Sequence, residues 1–161
     1  GKVDSVTGFS FSSYLNLVRL GVPEEDISTI LMADHGLKLY GNAVIVNTDY
    51  AKNNPDMVKK FLVAVGAGWR DAIKDPKSAA AALVKRNPAA DAALEQRRLQ
   101  LAIDANVLTD YVKANGMGGV DSTRFAAAIQ QLSETYEYKA APNAALYFTD
   151  EYLPASGISV N

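Results

Sequence analysis

A long amphipathic helix with a well-marked beginning is the feature that most constrains how this chain can fold. Asn54-Pro55-Asp56 combines a capping side chain, a proline suited to the first turn and an acid near the positive end of the helix dipole. Apolar residues then recur at helical spacing, namely Met57, Phe61, Val65, Trp69 and Ile73. The pattern predicts a helix from Asp56 to Lys74 with one buried face, and Gly66 and Gly68 are expected to allow close packing.

A short apolar run precedes this helix. Ala43 to Val46 reads AVIV and is bounded by Gly41-Asn42 and by Asn47-Thr48-Asp49. Runs of this kind are typical of strands that are buried on both faces of a parallel or mixed sheet. Ile27 to Met32 is rich in β-branched and apolar residues and predicts another strand. The sequence therefore predicts an α/β fold with a few strands near the N-terminus and mostly helix after Asp56.

Cap signals predict further helices on both sides of the long one. Asp75-Pro76 begins a helix by the same combination of cap and proline, Asp91 to Asn106 follows, and Asp121 caps a helix that runs to about Tyr136. Upstream, Tyr14 to Leu20 is a short helix that Gly21 ends. The tail from Ala155 to Asn161 is expected to be frayed.

Composition and charge narrow the functional classes. A chain of 161 residues can bury one core, and none of its apolar runs is long enough to cross a bilayer. The net charge of -2 and the pI near 5.4 argue against a nucleic-acid partner. The sequence has no cysteine and one histidine, His35, which argues against thiol chemistry and a histidine metal cluster. The glycine-rich stretch Asn115 to Gly119 is no phosphate fingerprint, so no cofactor is expected.

Serines cluster where the first short helix begins. Ser10, Ser12 and Ser13 precede Tyr14 at this start. A helix N-terminus offers unpaired N–H groups and a partial positive charge, which suit a carboxylate, sulfonate or phosphate. A serine in this position also serves as an ordinary N-cap in proteins without a ligand. The three serines are therefore candidates for ligand contact, with plain capping as the alternative.

Asp34, the one histidine and two tyrosines complete the candidate ligand-binding set. Tyr14 and Tyr40 have rings that can stack on a flat heterocycle and hydroxyls that can form hydrogen bonds, although core or rim packing explains them equally well. His35, beside Asp34, is either a hydrogen-bonding group for a ligand or a loop residue that faces solvent. No pair of acids lies in an apolar setting that would raise a pKa. No catalytic residue and no metal ligand is therefore expected.

Four stretches of the sequence, in their order along the chain, carry a resemblance to a known family. They are Gly1-Lys2-Val3-Asp4, Tyr40 to Val46, Asn54 to Leu62 and Tyr147 to Pro154. Together they resemble the periplasmic solute-binding proteins of ABC transporters, in the branch that carries thiamine-pyrimidine precursors, riboflavin, nitrate, sulfonates and taurine. Each motif is structural rather than catalytic, so their order carries more information than any one of them.

The resemblance implies a type II periplasmic binding fold, with two lobes that close on a ligand. It implies that residues 1–38 are the end of the second lobe and residues 39–161 the C-terminal part of the first. The segment Asp34 to Tyr40 would then cross between the lobes and border the ligand. Proteins of this family are about twice as long, so the chain is expected to be a C-terminal fragment; a complete small domain is the alternative.

The resemblance also implies a function without catalysis. The expected role is capture of a sulfonate, nitrate, pyrimidine precursor or flavin outside the cytoplasm and its delivery to ABC permease subunits. The expected location is periplasmic, with the signal peptide outside this chain, and exposed apolar surface is expected to favour self-association of the fragment. The alternatives are a pyrimidine-precursor synthase of related fold, for which His35 and Lys38 would have to supply the chemistry, and a helical interaction or sensory domain.

Overall fold

The computed structural model describes residues 2–140, 142–155 and 157–160. Its α-helices are α1 (Leu15–Arg19), α2 (Thr48–Asn53), α3 (Pro55–Lys74), α4 (Pro76–Arg86), α5 (Ala92–Ala102), α6 (Asp110–Asn115) and α7 (Ser122–Thr135). Single π-helical turns at Ser10–Tyr14 and Ile103–Val107 precede α1 and extend α5, and 3-10 turns lie at Glu24–Asp26, Met32–His35 and Ala144–Leu146. None of the described helices is both long and apolar enough to cross a membrane.

The long helix forms as predicted, but its apolar face is only partly covered. α3 begins at Pro55, and Asn54 uses its side chain to donate to the Tyr50 carbonyl at 3.1 Å rather than to cap α3. Val58 and Gly66 are buried, whereas Met57 and Phe61 are more than half exposed. A methyl group at Gly66 would overlap the side chain of Ile158, which confirms the close packing expected at this glycine. A methyl group at Gly68 would meet no atom of the described residues within 4 Å, so the same expectation is wrong there.

The helix starts marked by aspartate are confirmed. Asp75 accepts a hydrogen bond from the backbone N–H of Ser78 at 3.0 Å, and Asp91 accepts one from Leu94 at 2.7 Å. At α7 the carboxylate of Asp121 accepts from Arg124 N–H, also at 2.7 Å. Each cap satisfies an N–H group that the helix itself leaves unpaired and contributes about 1 kcal/mol. The prediction of mostly helix after Asp56 is therefore correct.

The strands predicted near the N-terminus do not form in the described residues. Residues 43–46 belong to no helix or strand, and Ile45 is 91% exposed rather than buried. Residues 27–31 are likewise irregular and lead into the turn Met32–His35. A strand needs a neighbour to pair its backbone groups. Residues 41–46 form no hydrogen bond with any described residue, so the apolar run has the composition of a strand without its pairing.

The end of the chain is packed where fraying was expected. Ile158 forms an antiparallel bridge with Met117 through hydrogen bonds of 2.8 and 2.9 Å, and Arg70 donates to the Ser159 carbonyl at 3.1 Å. Ile158 and Val160 are buried. The prediction of a frayed tail is therefore wrong for residues 157–160, because Ile158 fills the groove at Gly66; Ser156 and Asn161 lie outside the described residues.

The buried apolar residues within the described part of the chain are few, and three of the eight are alanines. They are Leu15, Ala51, Val58, Ala80, Ile103, Ala128, Ile158 and Val160. Because so little of the N-terminal region is buried, its position depends on polar contacts with the helices further along the chain. Two such attachments hold the candidate site residues.

Candidate functional site

The serine-rich turn Ser10–Tyr14 already pairs two of its backbone N–H groups locally. It begins after Phe9, which is extended and provides no side-chain cap. The Phe9 carbonyl accepts from Ser12 N–H at 2.9 Å and from Ser13 N–H at 2.8 Å. Two amide groups at this helix start are therefore already paired. The hydroxyls of the three candidate serines form no hydrogen bond with a described residue, and these side chains are half-buried.

Arginines of α5 hold this turn in place. Arg98 donates to the Phe11 carbonyl at 3.1 Å and is itself held by Glu95 at 3.2 Å. The rings of Phe9 and Phe11 stack on each other, with centroids 5.1 Å apart. The turn is thus fixed to α5 through its backbone and through the side chain of its last residue, Tyr14.

Tyr14, Glu24 and Arg97 form a connected cluster, referred to below as the α5 attachment. Arg97 binds Glu24 in a bidentate manner, with N–O distances of 2.8 and 2.5 Å, and the Tyr14 hydroxyl donates to the same carboxylate. The guanidinium also lies over the Tyr14 ring, 5.7 Å from its centroid. The planar guanidinium matches the two oxygens of the carboxylate, which makes such a pair geometrically specific.

The same contacts shift the proton affinities of the cluster. The hydrogen bonds from Arg97 and then from Tyr14 lower the pKa of Glu24 to about 2. The hydrogen bond to Glu24 raises the pKa of Tyr14, and the carboxylate likewise raises the pKa of Arg97. The hydroxyl of Tyr14 is therefore already hydrogen-bonded within the protein, so only its ring is available for contact with a ligand.

The segment that contains the other candidates lies along α7. The turn Met32–His35 ends at Gly36, whose φ of 94° is in the left-handed region that glycine adopts readily. Gln131 of α7 then forms two hydrogen bonds of 2.8 Å with the segment: its amide nitrogen donates to the Gly36 carbonyl, and its amide oxygen accepts from Lys38 N–H. A side-chain amide can pair with a backbone in this way because it carries both a donor and an acceptor.

Arg124 and Asp121 hold the remainder of the segment. Arg124 donates to the carbonyls of Lys38 and Leu39 at 3.2 and 3.0 Å, and its guanidinium lies 4.8 Å from the centroid of the Tyr40 ring. The Tyr40 hydroxyl accepts from Asp121 N–H at 2.9 Å. We refer to the contacts of Asp121, Arg124 and Gln131 with residues 36–40 as the α7 clamp.

Asp34 and His35 lie next to the α7 clamp, but their side chains take no part in it. Both are exposed, and neither side chain forms a hydrogen bond or ion pair with a described residue. A shallow cleft of about 300 Å³ lies beside them, lined by Ala33, Leu37, Lys38, Asp121, Thr123, Arg124 and Ala127. Its lining carries both signs of charge, since Lys38 and Arg124 are cationic and Asp121 is acidic.

The candidate residues fall into two groups. Ser10, Ser12, Ser13 and Tyr14 lie against α5, whereas Asp34, His35 and Tyr40 lie against α7. No hydrogen bond, ion pair or ring contact among the described residues joins the two groups. A larger cleft of about 840 Å³ lies between the end of α3 and α4 and touches none of these residues. Within the described part of the chain, no cluster of histidine and acidic side chains could hold a metal ion.

The residues that hold the candidates in place were not identified from the sequence. Arg97, Arg124 and Gln131 each contact a partner more than 70 positions earlier in the chain. Nothing in the periodicity of α5 or α7 marks these side chains as different from solvated polar ones. The one available signal is that Arg124 and Gln131 are seven residues apart and so share a helix face with the buried Ala128.

A family model matches the part of the chain that contains every candidate residue. Residues 1–79 match the family described as NMT1/THI5 like, which lies in the nitrate, sulfonate and thiamine-pyrimidine branch of ABC substrate-binding proteins. No curated protein and no solved structure matches the chain significantly. Residues 1–79 are thus similar to this family, which confirms the resemblance; α5 and α7 lie outside the matched range.

Proposed function

We propose, from the match of residues 1–79 to the NMT1/THI5-like family model, that this chain captures a small solute for an ABC importer. The family supports a solute-binding role in general. The observation that carries the proposal is that the matched range contains all of the candidate binding residues. The solute we propose is a sulfonate, nitrate, a pyrimidine precursor or a flavin, captured outside the cytoplasm and delivered to permease subunits.

The two groups of candidates would provide different kinds of contact. The exposed side chains of Asp34 and His35 and the hydroxyls of the serine-rich turn are available for hydrogen bonds with a polar solute. Tyr14 and Tyr40 would contribute ring surface, since their hydroxyls bind Glu24 and Asp121. In the proposed arrangement, residues 1–38, which carry every candidate except Tyr40, end one lobe and residues 39–161 belong to the other. Closure of the lobes would enclose a ligand that contacts both groups.

A binding role is favoured over a synthase. The family consists mainly of substrate-binding proteins, although its THI5 members are synthases. His35, the single histidine of the chain, is exposed and has no hydrogen bond or ion pair with a described acid or base. A general acid or base works best when neighbouring groups orient it. No described side chain orients His35 through a hydrogen bond or an ion pair.

The binding proposal is tested by titrating the purified chain with nitrate, taurine, riboflavin and a hydroxymethylpyrimidine in separate calorimetric experiments. One of the four is expected to bind, and His35→Ala is expected to weaken that binding roughly tenfold through loss of a hydrogen bond to a polar ligand. Lys77→Ala, at an exposed position on α4, is the matched control and leaves the affinity unchanged. Absence of binding by all four probes at millimolar concentration would refute the proposal.

Self-association through the unpaired apolar run is part of the same proposal. Val44 and Ile45 are 54% and 91% exposed, and the backbone of residues 41–46 is unpaired among the described residues. Such a segment can pair with a second copy along its edge. Ile45→Asp is expected to shift the protein from dimer toward monomer in size-exclusion chromatography. Leu146→Asp, at another exposed apolar position, is the control; a wild-type protein that is monomeric at all concentrations would contradict the idea.

A further inference from the structure

The geometry points to α7 as the element that positions the binding wall, with Gln131 and Arg124 as its positioning residues. They hold the backbone of residues 36–40, and through it the orientation of Asp34, His35 and Tyr40. Neither of the two has been placed in direct contact with a ligand. This inference rests on the proposed function, because it assigns a role in the same site to a helix outside the family-matched range.

The segment has little structure of its own. Its internal backbone hydrogen bonds are those of the turn before it, from Gly36 N–H to the Ala33 carbonyl and from Leu37 N–H to the Met32 carbonyl. From Lys38 onward, the hydrogen-bonded backbone groups bind α7 side chains. Ordering a residue costs about 1–2 kcal/mol of conformational entropy, so a segment without internal bonds needs external contacts to stay in one conformation.

Residues 36–40 run antiparallel to α7, and the two contacting stretches are similar in length. Gln131 binds at Gly36 and Lys38, Arg124 binds at Lys38 and Leu39, and Asp121 binds Tyr40. From residue 121 to 131 a helix rises about 15 Å, and four steps of extended chain cover about 13 Å. The whole segment can therefore be bound by one face of one helix, with Gln131 and Arg124 as its two points of backbone attachment.

Gln131 binds the backbone right next to Asp34 and His35, whose side chains have no partner among the described residues. Asp34 and His35 directly precede Gly36, the residue whose left-handed φ turns the chain out of the 3-10 turn. If the Gly36 carbonyl is released from Gln131, rotation at this glycine moves His35 without steric cost. Loss of Gln131 should therefore affect ligand binding even though its side chain contacts no candidate directly and binds the carbonyl of Gly36, the residue after His35.

Residue-resolved amide hydrogen exchange on the full chain tests the structural half of the inference. Gln131→Ala is expected to speed exchange at Lys38 N–H roughly fivefold, which corresponds to the loss of one ordinary hydrogen bond. Gln131→Glu keeps an acceptor for Lys38 N–H and is expected to preserve its protection, although the donor to the Gly36 carbonyl is lost. Gln130→Ala, the neighbouring glutamine on the exposed side of α7, is the matched control.

The functional half is tested by titrating the same variants with whichever of the four solutes binds the wild-type chain. Gln131→Ala and Arg124→Ala are expected to weaken binding roughly tenfold at a temperature where each variant remains folded. Gln131→Glu and Arg124→Lys each retain one of the two original contacts and are expected to restore part of the affinity. A purely structural role would lower the stability of all four variants and leave the affinity of the folded fraction unchanged.

Three results would overturn the inference or its premise, and they can be told apart. Unchanged exchange at Lys38 in Gln131→Ala would show that α7 does not hold the segment. Faster exchange with unchanged affinity would show that the clamp has no role in binding. Absence of binding by the wild-type chain would refute the proposed function, and the binding role of the clamp with it, while the exchange data would still decide whether α7 orders residues 36–40.

Discussion

The α5 attachment and the α7 clamp each join an arginine to a tyrosine, but they use different chemistry. In the α5 attachment, Arg97 binds the carboxylate of Glu24, and the two side chains are 45% and 46% exposed. In the α7 clamp, Arg124 binds two backbone carbonyls that carry no net charge. An ion pair in water is weakened by salt and by protonation, whereas a carbonyl is neither titrated nor strongly screened. The two attachments should therefore respond to different conditions.

Removal of the arginine from each attachment should give the largest difference in stability between the two. Arg124→Ala deletes two hydrogen bonds from a charged donor and is expected to lower the free energy of unfolding by about 1–3 kcal/mol. Arg97→Ala is expected to have the smaller effect, because Glu24 can turn to water. Urea unfolding followed by the fluorescence of Trp69 measures both.

Arg86→Ala is the control for that comparison, since Arg86 is exposed and has no hydrogen bond with a described residue. It should change the stability least of the three. A larger loss of stability in Arg97→Ala than in Arg124→Ala would reverse the comparison, and would mean that the exposed ion pair is the stronger attachment.

Local signals in the sequence predicted the helices because a cap and its partner are close neighbours. Asp75, Asp91 and Asp121 each accept from an N–H group three residues later. The apolar run at residues 43–46 failed as a strand because pairing depends on a distant segment, which composition alone does not specify. Sequence distinguishes a suitable strand from an unsuitable one, but it does not supply the neighbour.

The positions of the candidate residues in loops and at a helix start were predicted for the same reason, because both features are visible locally. Their role in ligand binding stays a prediction. Gln131 was missed because its partner Gly36 is 95 positions away. The hydrogen bonding of the Tyr14 hydroxyl within the protein was also not predicted, because its partner Arg97 lies 83 positions further along the chain. Long-range polar contacts leave no periodic trace in a sequence.

Acid should release the α5 attachment and leave the α7 clamp in place. Glu24 has an ordinary pKa of 4.5 that the attachment lowers to about 2. Because the folded value is the lower one, the stabilisation is complete above pH 4.5 and is lost as the pH falls toward 2. NMR signals of the Tyr14 ring should therefore shift in this window, while those of the Tyr40 ring stay constant. Glu24→Gln should abolish the shift; a parallel change at Tyr40 would show that the two attachments are coupled.

Titration at high pH is a second test of the α5 attachment. The hydrogen bond to Glu24 raises the pKa of Tyr14 above the ordinary 10.0. Since the folded pKa is raised, the stabilisation is complete below pH 10 and is lost as the pH rises through the folded value. Glu24→Gln is expected to return the Tyr14 pKa toward 10, as followed by ring-carbon NMR with Tyr14→Phe to assign the signal. A Tyr14 that titrates like an ordinary tyrosine in the wild-type chain would argue against the hydrogen bond.

Salt should produce the smallest difference between the attachments. At about 1 M sodium chloride the Debye length falls to about 3 Å, which screens an exposed ion pair such as Arg97–Glu24. Amide exchange in the turn Glu24–Asp26 should accelerate modestly, by less than the effect of Arg97→Ala. Exchange at Lys38 should stay unchanged, because its partner is the neutral amide of Gln131. Equal acceleration at both places would mean that salt acts on the chain as a whole, and that the difference between charged and neutral attachment is not what governs its stability.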